Sequence, residues 1–245
     1  MAEPNNPFED AAFALRQSWE DHRQAFGPIL EPAFRENPQV RLLVIQALNY
    51  ISRREIQKGM EELKQINPHC VYDEDKAAWT YFVGLCFEMA GAKKQMLQWY
   101  ADAGKFGHRF YLPYLKLAKA THAEGELETA LGYYDTAIGC LLEMEDPDEI
   151  VLGSAYANLT SCLTMLHRYS QAEKAWLAAQ NYPQQPASAA TAAILYAAMG
   201  NREQAAHWLA RLEKENPAPV PQIRAITEQI LSGTHPDFPP ENPVG

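Results

Sequence analysis

The sequence predicts an all-α protein, an α-solenoid of about five antiparallel helix pairs with a capping helix at each end. Two observations carry this expectation. One ladder of residue sizes recurs at four places along the chain, and two of the copies close with the same Asn-Pro step after a charged helix. Both read as punctuation of a repeated helix-turn-helix unit.

The ladder is anchored on Gly91, Gly125 and Gly200, each ending an apolar-periodic segment, and His167 holds the same place in another copy. Seven residues before the anchors lie Gly84, Ala118, Thr160 and Ala193, all small. Four before them lie Phe87, Thr121, Leu163 and Tyr196. Five after come Met96, Ala130, Ala172 and Ala205; nine after come Tyr100, Tyr134, Trp176 and Leu209; twelve after come Ala103, Ala137, Ala179 and Leu212. The anchors stand 34, 42 and 33 residues apart. A degenerate first copy, without the glycine, reads Ile51, Ile56, Met60 and Leu63 before Asn67-Pro68, forty residues ahead of Gly91. The last copy closes with Asn216-Pro217.

An antiparallel helix pair with a tight turn explains each rung. Glycine suits the left-handed residue that ends the first helix, which a Cβ disfavours. Small residues belong where two helix axes approach closely, and large ones fill wider gaps. Asn201 and Ser170 suit the N-caps of second helices, and Ser170 with Glu173 has capping-box spacing. Proline after a helix stops it. The 42-residue spacing implies longer helices or an acidic loop between Glu143 and Glu149. There Asp146-Pro147-Asp148-Glu149 reads as an N-cap, an N1 proline and an acidic first turn.

These residues resemble the tetratricopeptide repeat family, whose aromatic, Leu-Gly, aromatic, turn, Ala, aromatic and Pro pattern recurs near 34 residues. The resemblance runs from about Val40 to Pro217. It is carried best by Tyr196, Gly200, Ala205, Leu209 and Pro217, and next by Trp79, Gly84, Phe87, Gly91, Tyr100 and Ala103.

Outside the array, Phe8, Ala12, Leu15, Trp19 and Phe26 form one helical stripe begun by Asn6-Pro7 and ended by Gly27-Pro28. This N-terminal helix is expected to cap the first pair; folding into the groove or exchanging between subunits are the alternatives. Val220, Ile223, Ile226 and Ile230 give a C-terminal capping helix, which keeps an array soluble. The expected divisions are therefore 1–36 as N-terminal cap, 37–217 as solenoid, 218–231 as C-terminal cap and 232–245 as a Pro-rich extended tail.

Composition narrows the function. The formal net charge of −10 argues against nucleic acid or an anionic membrane as partner, since both would repel an acidic chain. Arg53-Arg54 and Lys93-Lys94 are isolated basic pairs. No apolar run approaches the roughly 18 residues of a membrane span, and the polar Met-Ala-Glu-Pro-Asn-Asn-Pro start carries no signal-peptide pattern. The expected location is the cytoplasm. Cys70, Cys86, Cys140 and Cys162 are scattered without a C-x-x-C pair, so free thiols are expected, three of them as small apolar core residues. No metal or cofactor is expected. His108 and His122 near Arg109, Lys116 and Lys119 read as a mildly basic helix face. No nucleotide-binding loop, His-Glu-x-x-His motif or nucleophile elbow is present, and an enzyme is not expected.

The family resemblance implies that the first helix of each pair lines a concave groove carrying the ligand contacts. The implied lining is Tyr81, Phe82, Leu85 and Met89, then Leu112, Lys116, Lys119 and His122, then Asn158, Ser161 and Met165. Such a surface suits a polypeptide segment with hydrophobic anchors and a carboxylate. Some members clamp a C-terminal Glu-Glu-Val-Asp with Lys, Asn and Arg; the corresponding places hold Arg41, Ile45, Phe82, Leu112 and Lys116, so that function is not implied. The expected function is a non-catalytic adaptor or scaffold binding another protein or peptide. A self-associating homo-oligomeric module and a sensor of a peptide or small ligand are the alternatives.

Overall fold

The structure is a computed structural model that describes Phe26 and residues 33–34, 38–107, 110–183 and 188–238. Two compact units divide the chain, Met1–Pro113 and Tyr114–Gly245. The first contains α1 (Pro38–Ser52), α2 (Ile56–Ile66), a 3₁₀ turn (Asn67–His69), α3 (Asp73–Met89), α4 (Lys93–Phe106) and the start of α5 (Tyr111–Ala123). The second holds the rest of α5, then α6 (Leu127–Leu142), α7 (Glu149–Met165), α8 (Tyr169–Ala179), α9 (Ser188–Ala198), α10 (Arg202–Glu215) and α11 (Val220–Leu231). Among the described residues the regular structure is entirely helical.

The helices pair in sequence order, and each pair turns through three residues: 53–55, 90–92, 124–126, 166–168 and 199–201. The middle of each turn is a left-handed residue, with Arg54 at φ +61°, Gly91 at +71°, Gly125 at +79°, His167 at +58° and Gly200 at +73°. All five make the same two hydrogen bonds. In the third pair the Gly125 amide donates to the His122 carbonyl and the Glu126 amide to the Thr121 carbonyl, both at 3.0 Å. These are the bonds of a Schellman motif, which satisfies carbonyls left over at a helix end. His167 therefore fills the glycine's place in the turn, as its position in the ladder predicts.

The ladder's other rungs are the packed ones. Ala118, Thr160 and Ala193 are fully buried, as are Ala103, Ala137, Ala179 and Leu212 twelve residues after their anchors. Large residues nine past the anchors plug the core, with Tyr100, Tyr134 and Trp176 among the most deeply buried side chains. Gly84 is a true close approach: a Cβ there would lie 2.8 Å from ring carbons of Tyr100.

The first copy is in a different register from the expected one. Its turn residue is Arg54, not Ile51. The rungs that follow are Gly59, Leu63 and Ile66, all buried, with Ala47 seven residues before. A Cβ on Gly59 would lie 2.8 Å from Ile51 Cγ1 and 3.3 Å from the Ala47 carbonyl oxygen, so the small residue marks the helix crossing here too.

The wide spacing from Gly125 to His167 comes from both helices and the connection between them, while the turns keep three residues. Relative to the preceding repeat, the second helix has 16 residues against 14, the next first helix 17 against 13, and the connection six against four. The N-cap of α7 is Asp148 rather than Asp146, its carboxylate accepting the Ile150 and Val151 amides at 3.0 Å. Asn201 caps α10 as expected, accepting the Gln204 amide at 3.1 Å. Ser170 does not cap: α8 begins at Tyr169 with Arg168 in the cap position, because the three-residue turn fixes where the helix starts.

At the C-terminal end, α11 packs on α9 and α10, burying Val220, Thr227 and Ile230. The residues after it are not simply extended. Gly233 ends α11 at φ +71°, and Phe238 is buried against the rings of His167 and His235. The expected helix over Phe8 to Phe26 lies outside the described residues apart from Phe26, as do His108, Arg109 and residues 239–245.

Candidate functional site

Most of the expected lining on the first helices lies nine, six or two positions before a turn residue. In the second unit this selects Lys116 and Lys119 on α5, and Asn158, Ser161 and Met165 on α7. Spacings of three, four and seven residues place each set on one face of its helix. His122 continues the α5 face three residues beyond Lys119.

His122 also ties the two faces together. Its Nε2 lies 3.4 Å from Met165 Sδ on α7, and its Nδ1 shares a 3.3 Å hydrogen bond with the Tyr134 hydroxyl on α6. The imidazole stands edge-on to the Tyr134 ring, 6.0 Å between centroids. Burial holds the His122 pKa below the ordinary histidine value, because charging it would require desolvating the cation. Near neutral pH the positive charge of this face therefore comes from Lys116 and Lys119.

Three further residues stand on the corresponding helix faces. Ser154 lies one turn before Asn158, and its buried Oγ finds no hydrogen-bond partner within the protein. On α9 the equivalent positions before Gly200 are Thr191 and Ile194, both half-buried. The ladder contains the signal for all three, since each follows from stepping back along a first helix from its turn.

In the first unit the expected lining separates into core and surface. Tyr81 is 2% exposed and Phe82 0%. Tyr81 packs among Phe82, Tyr100 and Phe110 with ring centroids 5.8, 5.2 and 5.4 Å away. Burial drives its phenol pKa well above the ordinary tyrosine range. These two side chains are structural where they stand, contrary to their expected role as open lining. Leu85 is half-buried and Met89 exposed. Leu112 lies half-buried on the three residues of α5 that belong to the first unit.

A separate cleft of about 520 Å³ opens on another face of α7. It is lined by Leu159 and Leu163 on α7, Asp135 on α6 and Lys174 on α8, and by Arg168, which pairs with Glu128 at 2.6 Å. It shares no residue with the α5 and α7 stripe.

None of the four cysteines is disulfide-bonded, and Cys86, Cys140 and Cys162 are buried. Burial pushes the thiols of Cys70 and Cys86 up to about 12 and that of Cys162 to about 11, which keeps them protonated and weakly nucleophilic. Among the described residues no group of three His, Cys, Asp or Glu side chains is arranged to hold a metal ion. Among the same residues no helix is long and apolar enough to cross a membrane.

No protein-family model matches the sequence, nor does any curated protein sequence. Solved structures do match. The chain superimposes on pilF of Pseudomonas aeruginosa with a TM-score of 0.63 at 14% identity, covering 89% of this chain and 98% of that one. It matches YrrB, described as a TPR protein with an unusual peptide-binding site, with a TM-score of 0.59 at 18% identity over 80% of this chain and 96% of that one. The match to MamA of AMB-1 has a TM-score of 0.55 at 11% identity, over 74% and 94% of the two chains. The fold is that of tetratricopeptide-repeat solenoids.

Proposed function

We propose that this chain is a non-catalytic adaptor that holds a polypeptide segment against the α5 and α7 faces of its second unit. The observation that carries the reading is the contact of His122 with Met165. It joins a face bearing Lys116 and Lys119 to one bearing Asn158 and Ser161. An extended backbone has amide and carbonyl groups for Asn158 and Ser161, and an acidic side chain or terminal carboxylate for the lysines. The peptide-binding site for which YrrB is described supports a ligand of this class. The thiols fit a reducing cytoplasm, where disulfides are rare.

The test uses fluorescein-labelled nine-residue peptides in anisotropy titrations. One carries two glutamates and a leucine; the other replaces the glutamates with lysines. The acidic peptide is expected to bind, and the paired change Lys116→Glu with Lys119→Glu to weaken it at least tenfold. Raised salt should weaken it as well, through screening. Equal binding of both peptides, unaffected by the lysine changes or by Asn158→Ala with Ser161→Ala, would remove this surface from consideration.

A further inference from the structure

The cleft beside α7 in the second unit lies where one aromatic side chain is missing from the repeat. Eight residues past the turn, the second, third and fifth pairs carry Trp99, Tyr133 and Trp208, whereas the fourth carries Ala175. Each of the three rings packs against another: Trp99 on Trp79, Tyr133 on Tyr114 and Trp208 on Trp176, at 5.4, 6.5 and 4.9 Å between centroids. Ala175 instead lines an opening of about 520 Å³.

The third pair shows what the fourth lacks. Its first helix sets Tyr114 and Leu117 eleven and eight positions before Gly125, and the fourth repeats them as Tyr156 and Leu159 before His167. In the third pair Tyr133 lies against Tyr114. In the fourth, Tyr156 and Leu159 both line the cleft, and Tyr156 stacks on Tyr182 after α8, 6.0 Å between centroids and 8° between planes. Leu163 stands where the third pair has Thr121 and adds to the apolar lining. A ring entering from outside would meet a tyrosine ring, as Tyr133 does, over apolar side chains.

The charges around this space select what the ring carries. Asp135 on α6 and Lys174 on α8 both line the cleft, and neither forms an ion pair among the described residues. Arg168, by contrast, is held by Glu128. Loss of water raises the Asp135 carboxyl above the ordinary aspartate value, and a bound cation offsets that cost. An aromatic acid would bring its carboxylate toward Asp135, and an aromatic amine its ammonium toward Lys174. A ring bearing both charges finds an opposite partner for each.

We propose that this cleft is a binding site for a small zwitterionic aromatic compound, of the class of the free aromatic amino acids. The ring lies against Tyr156 in the room left by Ala175, the ammonium group turns to Asp135 and the carboxylate to Lys174. The volume falls within the range of small-molecule sites, and an apolar lining with a few polar groups is their usual make-up. The cleft shares no residue with the α5 and α7 stripe, so the two readings stand or fall separately.

The probes are L-phenylalanine, phenylacetate, phenethylamine and N-acetylphenylalaninamide, titrated into the isotope-labelled full-length protein and followed by the amide chemical shifts of α7 and α8. L-phenylalanine is expected to bind at least tenfold more tightly than each of the other three. Lys174→Glu, at an exposed position, should weaken it at least tenfold. Ala175→Tyr supplies the missing ring from within and should abolish binding with unchanged circular dichroism; should that variant not fold, Lys174→Glu and the probe series still decide. No shift at millimolar L-phenylalanine would overturn the proposal, as would binding that Lys174→Glu leaves unchanged. Equal binding of N-acetylphenylalaninamide would also overturn it, since the cleft would then read a ring alone, as on a polypeptide side chain.

Discussion

The imidazole of His167 meets the ring of Phe238 edge-on, 5.7 Å between centroids and 72° between planes. This contact fastens the residues after the last helix to the turn of the fourth pair. Phe238 also touches the His235 ring and is 8% exposed. Phe238→Ala is expected to destabilise the protein by about 2 kcal/mol, below the range for central core phenylalanines because the site borders solvent. A urea midpoint identical to that of wild type would show that the contact contributes nothing.

The five turn residues give a test with opposite signs. Arg54 carries a Cβ in the left-handed region where Gly125 has none. Arg54→Gly should stabilise by about 1 kcal/mol, and Gly125→Ala should destabilise by about the same amount. Thermal unfolding of the two variants measures both, and shifts in the same direction would refute the shared role of the positions.

Glycines within helices divide just as sharply. A Cβ at Gly84 meets the Tyr100 ring at 2.8 Å, whereas at Gly132 and Gly139 nothing lies within 4 Å. Gly84→Ala should cost about 1–3 kcal/mol through overpacking. Gly132→Ala and Gly139→Ala should each add about 0.5–1 kcal/mol through helix propensity. Chemical denaturation of the three variants distinguishes close packing from backbone entropy.

Loss of a cap should be felt only where the cap is made. Asp148→Ala and Asn201→Ala each remove an observed acceptor of helix N-terminal amides and should cost about 1 kcal/mol. Ser170→Ala, inside α8, should stay within about 0.5 kcal/mol of wild type. A larger effect at Ser170 than at Asp148 would contradict the observed helix starts.

His122 makes stability depend on pH. Its pKa is lowered in the folded state by burial, so the unfolded chain binds the proton more readily. Its contribution is fully present above the unfolded histidine value of about 6.5 and is lost as pH falls through the lower folded value. His122→Gln should flatten the decline in melting temperature between pH 7 and pH 5. An unaltered slope would assign that decline to other groups.

Much of this architecture is legible in the sequence because it rests on size and handedness. A left-handed turn asks for glycine and a close helix crossing asks for a small side chain, so Gly91, Gly125 and Gly200 reveal the period. The first copy is harder to read because Arg54 occupies the turn with a Cβ, and an apolar residue three positions earlier imitates the anchor. Asp146 and Asp148 both satisfy the local rule for an N-cap; the helix start decides between them. Tyr81 and Phe82 sit at lining positions, yet their burial depends on Phe110 and Phe26, which the spacing within α3 does not reveal. The packing of Phe238 is hidden for the same reason, since its partner His167 lies 71 residues earlier. By contrast, the Lys116, Lys119, Asn158 and Ser161 positions follow from the period alone.

The three-residue connections within pairs also bear on how the chain becomes native. Closing so short a loop costs little entropy, and contacts between sequence neighbours favour rapid folding. In a repeat array, order can start at any unit and spread to the next. A helix pair can therefore close as soon as its second helix leaves the ribosome, before its C-terminal neighbours have emerged. Arg54 places the least favourable of the five turns in the first described pair, whose α2 packs on α3.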